Sequence, residues 1–168
     1  QYFTMNKNSL NIQQFKELDF LFERVSNRQL QDFGNISAKN KSDGSLVTSC
    51  DLWSDKTIVE ALSTIAPNEG VLSEEGGKLV PKTNAYWIVD PLDGTTNFAA
   101  GIPYWSISVA RFVGGQPESS FLIIPTLNKK FFSVKGKGVW VNNKKIKKLK
   151  RKAEIKKNTF SREKIGKD

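Results

Sequence analysis

The order of segments along the chain predicts an α+β layered domain, with N-terminal helices packed on a mainly antiparallel sheet. Three observations carry that prediction. Apolar residues recur at helical spacing in two early segments, each closed by a breaker. Later segments shorten to strand length and are separated by Gly, Pro and Asn clusters, which is how a meander reads. Helices that precede a run of strands, without alternating with them, segregate into layers.

Residues 1–8 carry no pattern and read as a loose end. Over 9–33, Ile12, Phe15, Leu18, Phe20, Leu21, Phe22, Val25 and Leu30 keep mainly helical spacing, with Ser9 or Asn11 as cap and Gly34 as terminator. Residues 39–48 hold an Asp43-Gly44 turn signal before a β-branched piece and read as a hairpin or strand entry. Asp51 then opens a second helix in which Ile58, Leu62, Ile65 and Ala66 share a face and Pro67 ends the run. The segment 70–77, GVLSEEGG, is a short strand running into Glu74-Glu75. The apolar run 86–89 reads as a buried strand halted at Asp90-Pro91, since proline lacks a ladder donor. Segments 105–113, 118–124, 130–135 and 138–141 complete the meander. One domain over 9–147 is expected, followed by a basic tail over 148–168.

Composition narrows the chemistry. There is no histidine among the 168 residues, which excludes His-based triads, His-ligated zinc and an imidazole general base. The one cysteine, Cys50, excludes an internal disulfide and suits a reducing compartment, the cytoplasm or an organellar stroma or matrix. It reads as a buried filler, not a nucleophile. No stretch approaches the apolar length of a membrane span. The formal charge of +9 is local: twelve Lys/Arg against three acids follow Asn142, and the preceding residues balance.

The informative stretch is WIVDPLDGTTNFAAGIP, residues 87–103. Asp90 and Asp93 flank a proline-containing turn, able to aim two carboxylates and the Leu92 carbonyl at one hard cation. Glu74, at another strand end, can complete or bridge a metal site. Gly94, Thr95 and Thr96 can offer N–H groups to a phosphate at a helix start. Without histidine, a hydrolase needs metal-activated water and a carboxylate to take its proton. Asp51 is the candidate carboxylate and Thr95 the candidate relay. The plainer readings are that Asp51 is a helix cap and that Glu74-Glu75 is a solvated turn.

DPLDGTTNF with the following GIP resembles the signature of the inositol monophosphatase family, Mg²⁺-dependent and lithium-sensitive sugar-phosphate phosphatases. DGSLVTSCD and LSEEG resemble two further family blocks in the right order, with Ser73 where the family has glycine. The resemblance implies a layered sandwich shared with fructose-1,6-bisphosphatase. It also implies Glu74, Asp90, Asp93 and the Leu92 carbonyl as metal ligands, with Glu75 a neighbour in the metal region. Asp51 and Thr95 would activate water, and the Gly94 and Thr95 amides would hold phosphate. About two or three Mg²⁺ ions are implied, with Mn²⁺ as a substitute. The substrate would be a small sugar or polyol phosphate, and a homodimer is the oligomeric expectation.

The family's second half, with its WD-containing helix and a further aspartate ligand, has no counterpart after Asn142. The expectation is therefore a truncated form or fragment with weak or no activity alone. Two alternatives stand beside it: a non-catalytic remnant, and nucleic-acid or anion binding through the lysine-rich tail. The tail has one aromatic, Phe160, and charge runs are commonly solvated ends, so a nucleic-acid partner is not expected.

Overall fold

A computed structural model describes residues 9–42, 44–76 and 81–147; the loose end 1–8 and the basic tail 148–168 lie outside the described residues. The first helix, α1 (Ile12–Asp32), is opened by Asn11. Its side chain accepts from the Gln14 N–H, while the Gln14 side chain accepts from the Asn11 N–H. A hairpin of β1 (Lys39–Asn40) and β2 (Leu46–Val47) leads to α2 (Ser49–Ile65). Thr48, not Asp51, is the cap of α2. Asp51 sits at the third helical position and closes the capping box.

There follow β3 (Gly70–Ser73), β4 (Ala85–Asp93), the short helix α3 (Thr95–Ala99), β5 (Ser106–Val113) and β6 (Gln116–Ile124). A 3-10 turn (Pro125–Leu127) joins these to β7 (Lys129–Val134), β8 (Gly138–Val141) and β9 (Lys144–Lys145). Strands β3 to β9 lie in chain order in one seven-stranded sheet. Pairings from β4 onward are antiparallel, as the turn signals predict, whereas β3 and β4 run parallel. Strand β9 was not expected. Asn142 and Asn143 both take positive φ (45° and 65°), the geometry of a tight hairpin turn, and two lysines pair back on β8.

One expectation about the central motif is corrected. The strand does not stop at Asp90-Pro91. It continues to Asp93, and its register against β5 shifts between Asp90 and Asp93. Proline's missing donor is absorbed by this bulge, which bends the strand and re-aims its side chains.

The main core lies between the helices and one sheet face. Trp87, Val89, Ile107, Val109, Phe121 and Ile123 meet Leu18, Leu21, Phe22 and Val25 of α1 and Ile58 and Leu62 of α2. Burial alternates along β5, as a strand with one covered face requires. Arg111 lies in the same buried row, 5 % exposed, and pairs with Glu69 and Glu118 at 2.5 and 3.1 Å. A second cluster of Cys50, Leu92, Phe98 and Trp105 packs where α2, the bulge and α3 meet, and so fixes their relative positions. Among the described residues no helix is long and apolar enough to cross a membrane.

Candidate metal and phosphate site

The parallel pair builds an acidic edge. Ser73 pairs with Val89, so the next residues, Glu74 and Asp90, stand abreast where the parallel pairing ends. The Glu74 N–H donates to the Val89 carbonyl at 3.0 Å, extending the ladder one position past β3. The Glu74 and Asp90 carboxyl groups are hydrogen-bonded, and Asp93 is close enough to repel. Burial, followed by the charges of Glu74 and Asp93, pushes the Asp90 carboxyl up to about 7. The Leu92 N–H, 3.2 Å from Asp90 Oδ1, works the other way by favouring the ionised form. Asp93 itself is exposed, with the Ser106 hydroxyl 3.4 Å from its Oδ2.

Among the described residues no three acidic groups stand ready-arranged as a metal cage. The donor chemistry nevertheless fits a hard divalent cation. Two carboxyl groups are pressed together with a third nearby, a like-charge arrangement that a cation relieves.

Asp51 serves two purposes at once. Its Oδ2 accepts from the Thr48 N–H at 2.9 Å and from the Thr48 hydroxyl, closing the cap. Its Oδ1 accepts from the Thr95 hydroxyl at 2.6 Å, joining α2 to α3. The Thr95 hydroxyl also lies 3.2 Å from the Leu92 carbonyl. Cap and site readings of Asp51 therefore hold together, one oxygen each.

Gly94 precedes α3 with φ +107°, and an added Cβ would lie 3.2 Å from the Tyr104 carbonyl and 3.3 Å from Trp105 Cβ. Only glycine suits that turn. The N–H groups of Thr95 and Thr96 open the single-turn helix, where no intrahelical acceptor exists for them. Thr96 is exposed.

Glu75 does not join the acidic edge. Its carboxylate, 9 % exposed, takes the Lys41 ammonium at 2.5 Å. Burial opposes the charged lysine, but Glu75 and Glu74 outweigh it and hold its pKa above the ordinary value.

Three contributing residues escaped the sequence reading. Lys41 reaches the site from the β1–β2 hairpin, a tertiary contact with no local signal. Asp55 stands one helical turn after Asp51, a spacing that marks a shared face. It accepts from the Ser73 hydroxyl and the Glu75 N–H, while burial and then Glu74 raise its pKa. Gln29 is fully buried; its amide donates to the Pro91 carbonyl at 2.8 Å and to Ser54 Oγ at 3.1 Å, and accepts from Trp105 Nε1 at 3.0 Å. A glutamine in line with Val25 on an apolar helix face was the available clue. Cys50 is buried, and burial followed by the Asp32 carboxylate pushes its thiol up to about 12, so it is no nucleophile at neutral pH.

Helices on one face of a mixed sheet, with acids at the ends of its parallel pair, define the α+β sandwich class of inositol monophosphatases and fructose-1,6-bisphosphatases. The chain belongs to the inositol monophosphatase family, whose sequence profile matches residues 11–165. It is 33% identical over 134 residues to a Nus factor SuhB of Pasteurella multocida, covering 73% of this chain and 50% of that protein. It is 35% identical over 127 residues to an inositol-1-monophosphatase of Rhizobium meliloti, covering 73% and 48% respectively. The solved Thermotoga maritima IMPase superposes with a TM-score of 0.71 at 30% identity, covering 79% of this chain and 53% of that one. An IMPase/NADP phosphatase complexed with Mg²⁺ and phosphate gives 0.71 at 26% identity, over 80% and 53%. The chain thus spans about half the length of the curated relatives it matches.

Proposed function

We propose that this chain carries the metal-binding and water-activating part of a Mg²⁺-dependent phosphomonoesterase acting on a small sugar or polyol phosphate. The observation that carries the reading is the 2.6 Å bond from Thr95 to Asp51, made beside the Glu74–Asp90 edge. Glu74, Asp90, Asp93 and the Leu92 carbonyl would hold the divalent cations. When bound, these would polarise the ester phosphate and acidify water.

The chain's own residues supply the rest. The Thr95 hydroxyl donates a hydrogen bond to Asp51 Oδ1, which leaves its oxygen lone pairs as acceptors for a water O–H. A proton leaving that water passes to Thr95 as the Thr95 proton moves to Asp51, so one unit of charge is handed to a buried carboxylate. The second oxygen of Asp51 stays fixed by Thr48, which holds the acceptor in place through the transfer. The Gly94 and Thr95 amides would orient the phosphate. Relatives named as inositol-1-monophosphatases, and an IMPase/NADP phosphatase solved with D-inositol-1-phosphate, favour this substrate class.

The chain spans about half of its relatives, so turnover by it alone is expected to be weak or absent, and metal binding is the sharper test. Calorimetric titration should show Mg²⁺ or Mn²⁺ binding that Asp90→Asn abolishes. A protein that takes up neither ion, or an Asp90→Asn variant that binds as well as the parent, overturns the reading. A second reading, a non-catalytic binding role, is favoured by the relatives named Nus factor SuhB. It would leave the chain without metal-dependent stabilisation.

A further inference from the structure

We propose that the Lys41 ammonium is the resident counter-ion of the acidic edge, anchored on Glu75, and that a divalent cation binds by displacing it from Glu74. The inference rests on the metal-site reading above and divides the work of the two adjacent glutamates: Glu74 for the metal, Glu75 for the lysine.

The two contacts of Lys41 are unequal. The bond to Glu75 is 2.5 Å and its carboxylate is 9 % exposed, whereas that to Glu74 is 3.3 Å and its carboxylate 47 % exposed. A short, buried ion pair resists exchange, while a long, exposed one contributes little and is readily given up. Lys41 can therefore release Glu74 and remain in place. The turn that follows β3 brings both carboxylates to one ammonium, at unequal distance and unequal exposure. Glu74 turns toward Asp90, and Glu75 turns toward the hairpin. Asp55 fixes this choice by taking the Ser73 hydroxyl and the Glu75 N–H, and the Gly76 N–H adds a bond to Ser73 Oγ at 3.0 Å. The hairpin that carries Lys41 is closed by the Lys41 N–H on the Ser45 carbonyl at 2.7 Å, which holds the lysine backbone next to the turn.

The same arrangement accounts for the acids not standing as a ready cage. Glu74 is shared between Asp90 and an ammonium, and it becomes a full ligand only when the ammonium lets go. Lys41 thus sets metal affinity by competition, acting as a positioning residue and not a ligand.

The test is a double-variant cycle read by Mn²⁺ binding in calorimetry on the 168-residue chain, with thermal melting of the metal-free proteins to confirm folding. Lys41→Met removes the competitor and should tighten Mn²⁺ binding by about five- to tenfold, the scale of one partly screened charge beside a divalent ion. Glu75→Gln frees the ammonium to sit on Glu74 and should weaken binding by a similar factor. The double variant should bind as tightly as Lys41→Met, because Glu75 acts only through Lys41. Binding by Lys41→Met that equals or falls below the parent overturns the proposal. So does a double variant as weak as Glu75→Gln, which would make Glu75 a ligand. If neither parent nor Lys41→Met binds Mn²⁺, the metal-site reading fails and takes this inference with it.

Discussion

Glu74 and Asp90 stand as a hydrogen-bonded pair of acids because Ser73 and Val89 are partners in the parallel register between β3 and β4. Two carboxyl groups share such a contact comfortably only when a proton or a cation lies between them. The folded protein therefore holds a proton on Asp90 up to about pH 7, well above where an unfolded aspartate loses it. Between those values the native state binds more protons than the unfolded state, so stability is fully present at low pH and falls as pH rises through about 7. Thermal melts of the metal-free protein from pH 5 to 8 should show a falling midpoint. Asp90→Asn, or saturating Mg²⁺, should flatten that slope. A midpoint that rises over the same range would contradict the pairing.

Asp51 is 1 % exposed, and Thr95 supplies the partner for its Oδ1. Thr95→Val keeps the shape and removes the donor, leaving a buried carboxylate oxygen without that bond. The cost should be about 1–3 kcal/mol in urea unfolding. Thr95→Ser restores the donor and should recover most of it. Any metal-dependent phosphate release should fall with Thr95→Val and return with Thr95→Ser; equal rates in the two variants would remove Thr95 from the chemistry.

Much of this architecture could be read from the chain, and the parts that could not share a cause. Both long helices, the hairpin and the meander from β5 to β8 were legible because each depends on local spacing and turn residues. The aspartates of the central motif were legible because they lie three residues apart. What stayed hidden depends on contacts across the fold. The parallel β3–β4 pairing joins strands that are not adjacent in sequence, and no local pattern sets its direction. Pro91 misled for a related reason: its missing donor argues against a strand, yet a bulge accommodates it. Lys41 is only a turn lysine until the hairpin is folded against Glu75.

Arg111 lies in the core row of β5 between two acids, each 14 % exposed. A buried arginine with paired carboxylates is hard to remove, because its loss strands the acids in a poorly solvated place. Arg111→Ala should cost about 3–5 kcal/mol in denaturant unfolding. Arg111→Met in a Glu69→Gln, Glu118→Gln background should recover a large part, since no charge is then left unpaired. An Arg111→Ala variant as stable as the parent would show that solvent reaches all three groups.

Gly94 occupies the left-handed region at φ +107° with the Tyr104 carbonyl close by. Gly94→Ala adds strain of about 1–3 kcal/mol and pushes the start of α3 away from Trp105. Its signature should be a loss of stability together with weaker binding of inorganic phosphate in the presence of Mg²⁺. Unchanged phosphate affinity in a destabilised variant would place the anion elsewhere.

Gln29 offers the most demanding test, because one buried amide ties α1 to three elements. Its donors reach Ser54 on α2 and the Pro91 carbonyl inside the bulge, and its oxygen accepts from the Trp105 indole before β5. Pro91 lies between Asp90 and Leu92, so the amide holds the bulge that sets the spacing of Asp90 and Asp93. Gln29→Leu matches the volume but leaves three polar groups without this partner, at a cost of about 2 kcal/mol or more in unfolding. Gln29→Glu keeps an acceptor for Trp105 and loses the donors, so the Pro91 carbonyl is released while the indole stays bound. If the bulge is held from below, both variants should weaken Mn²⁺ binding, and Gln29→Glu should do so while keeping the buried tryptophan fluorescence of the parent. A Gln29→Glu protein with parental Mn²⁺ affinity would show that the bulge keeps its shape through Leu92 packing alone, and the amide would then be only a structural bridge.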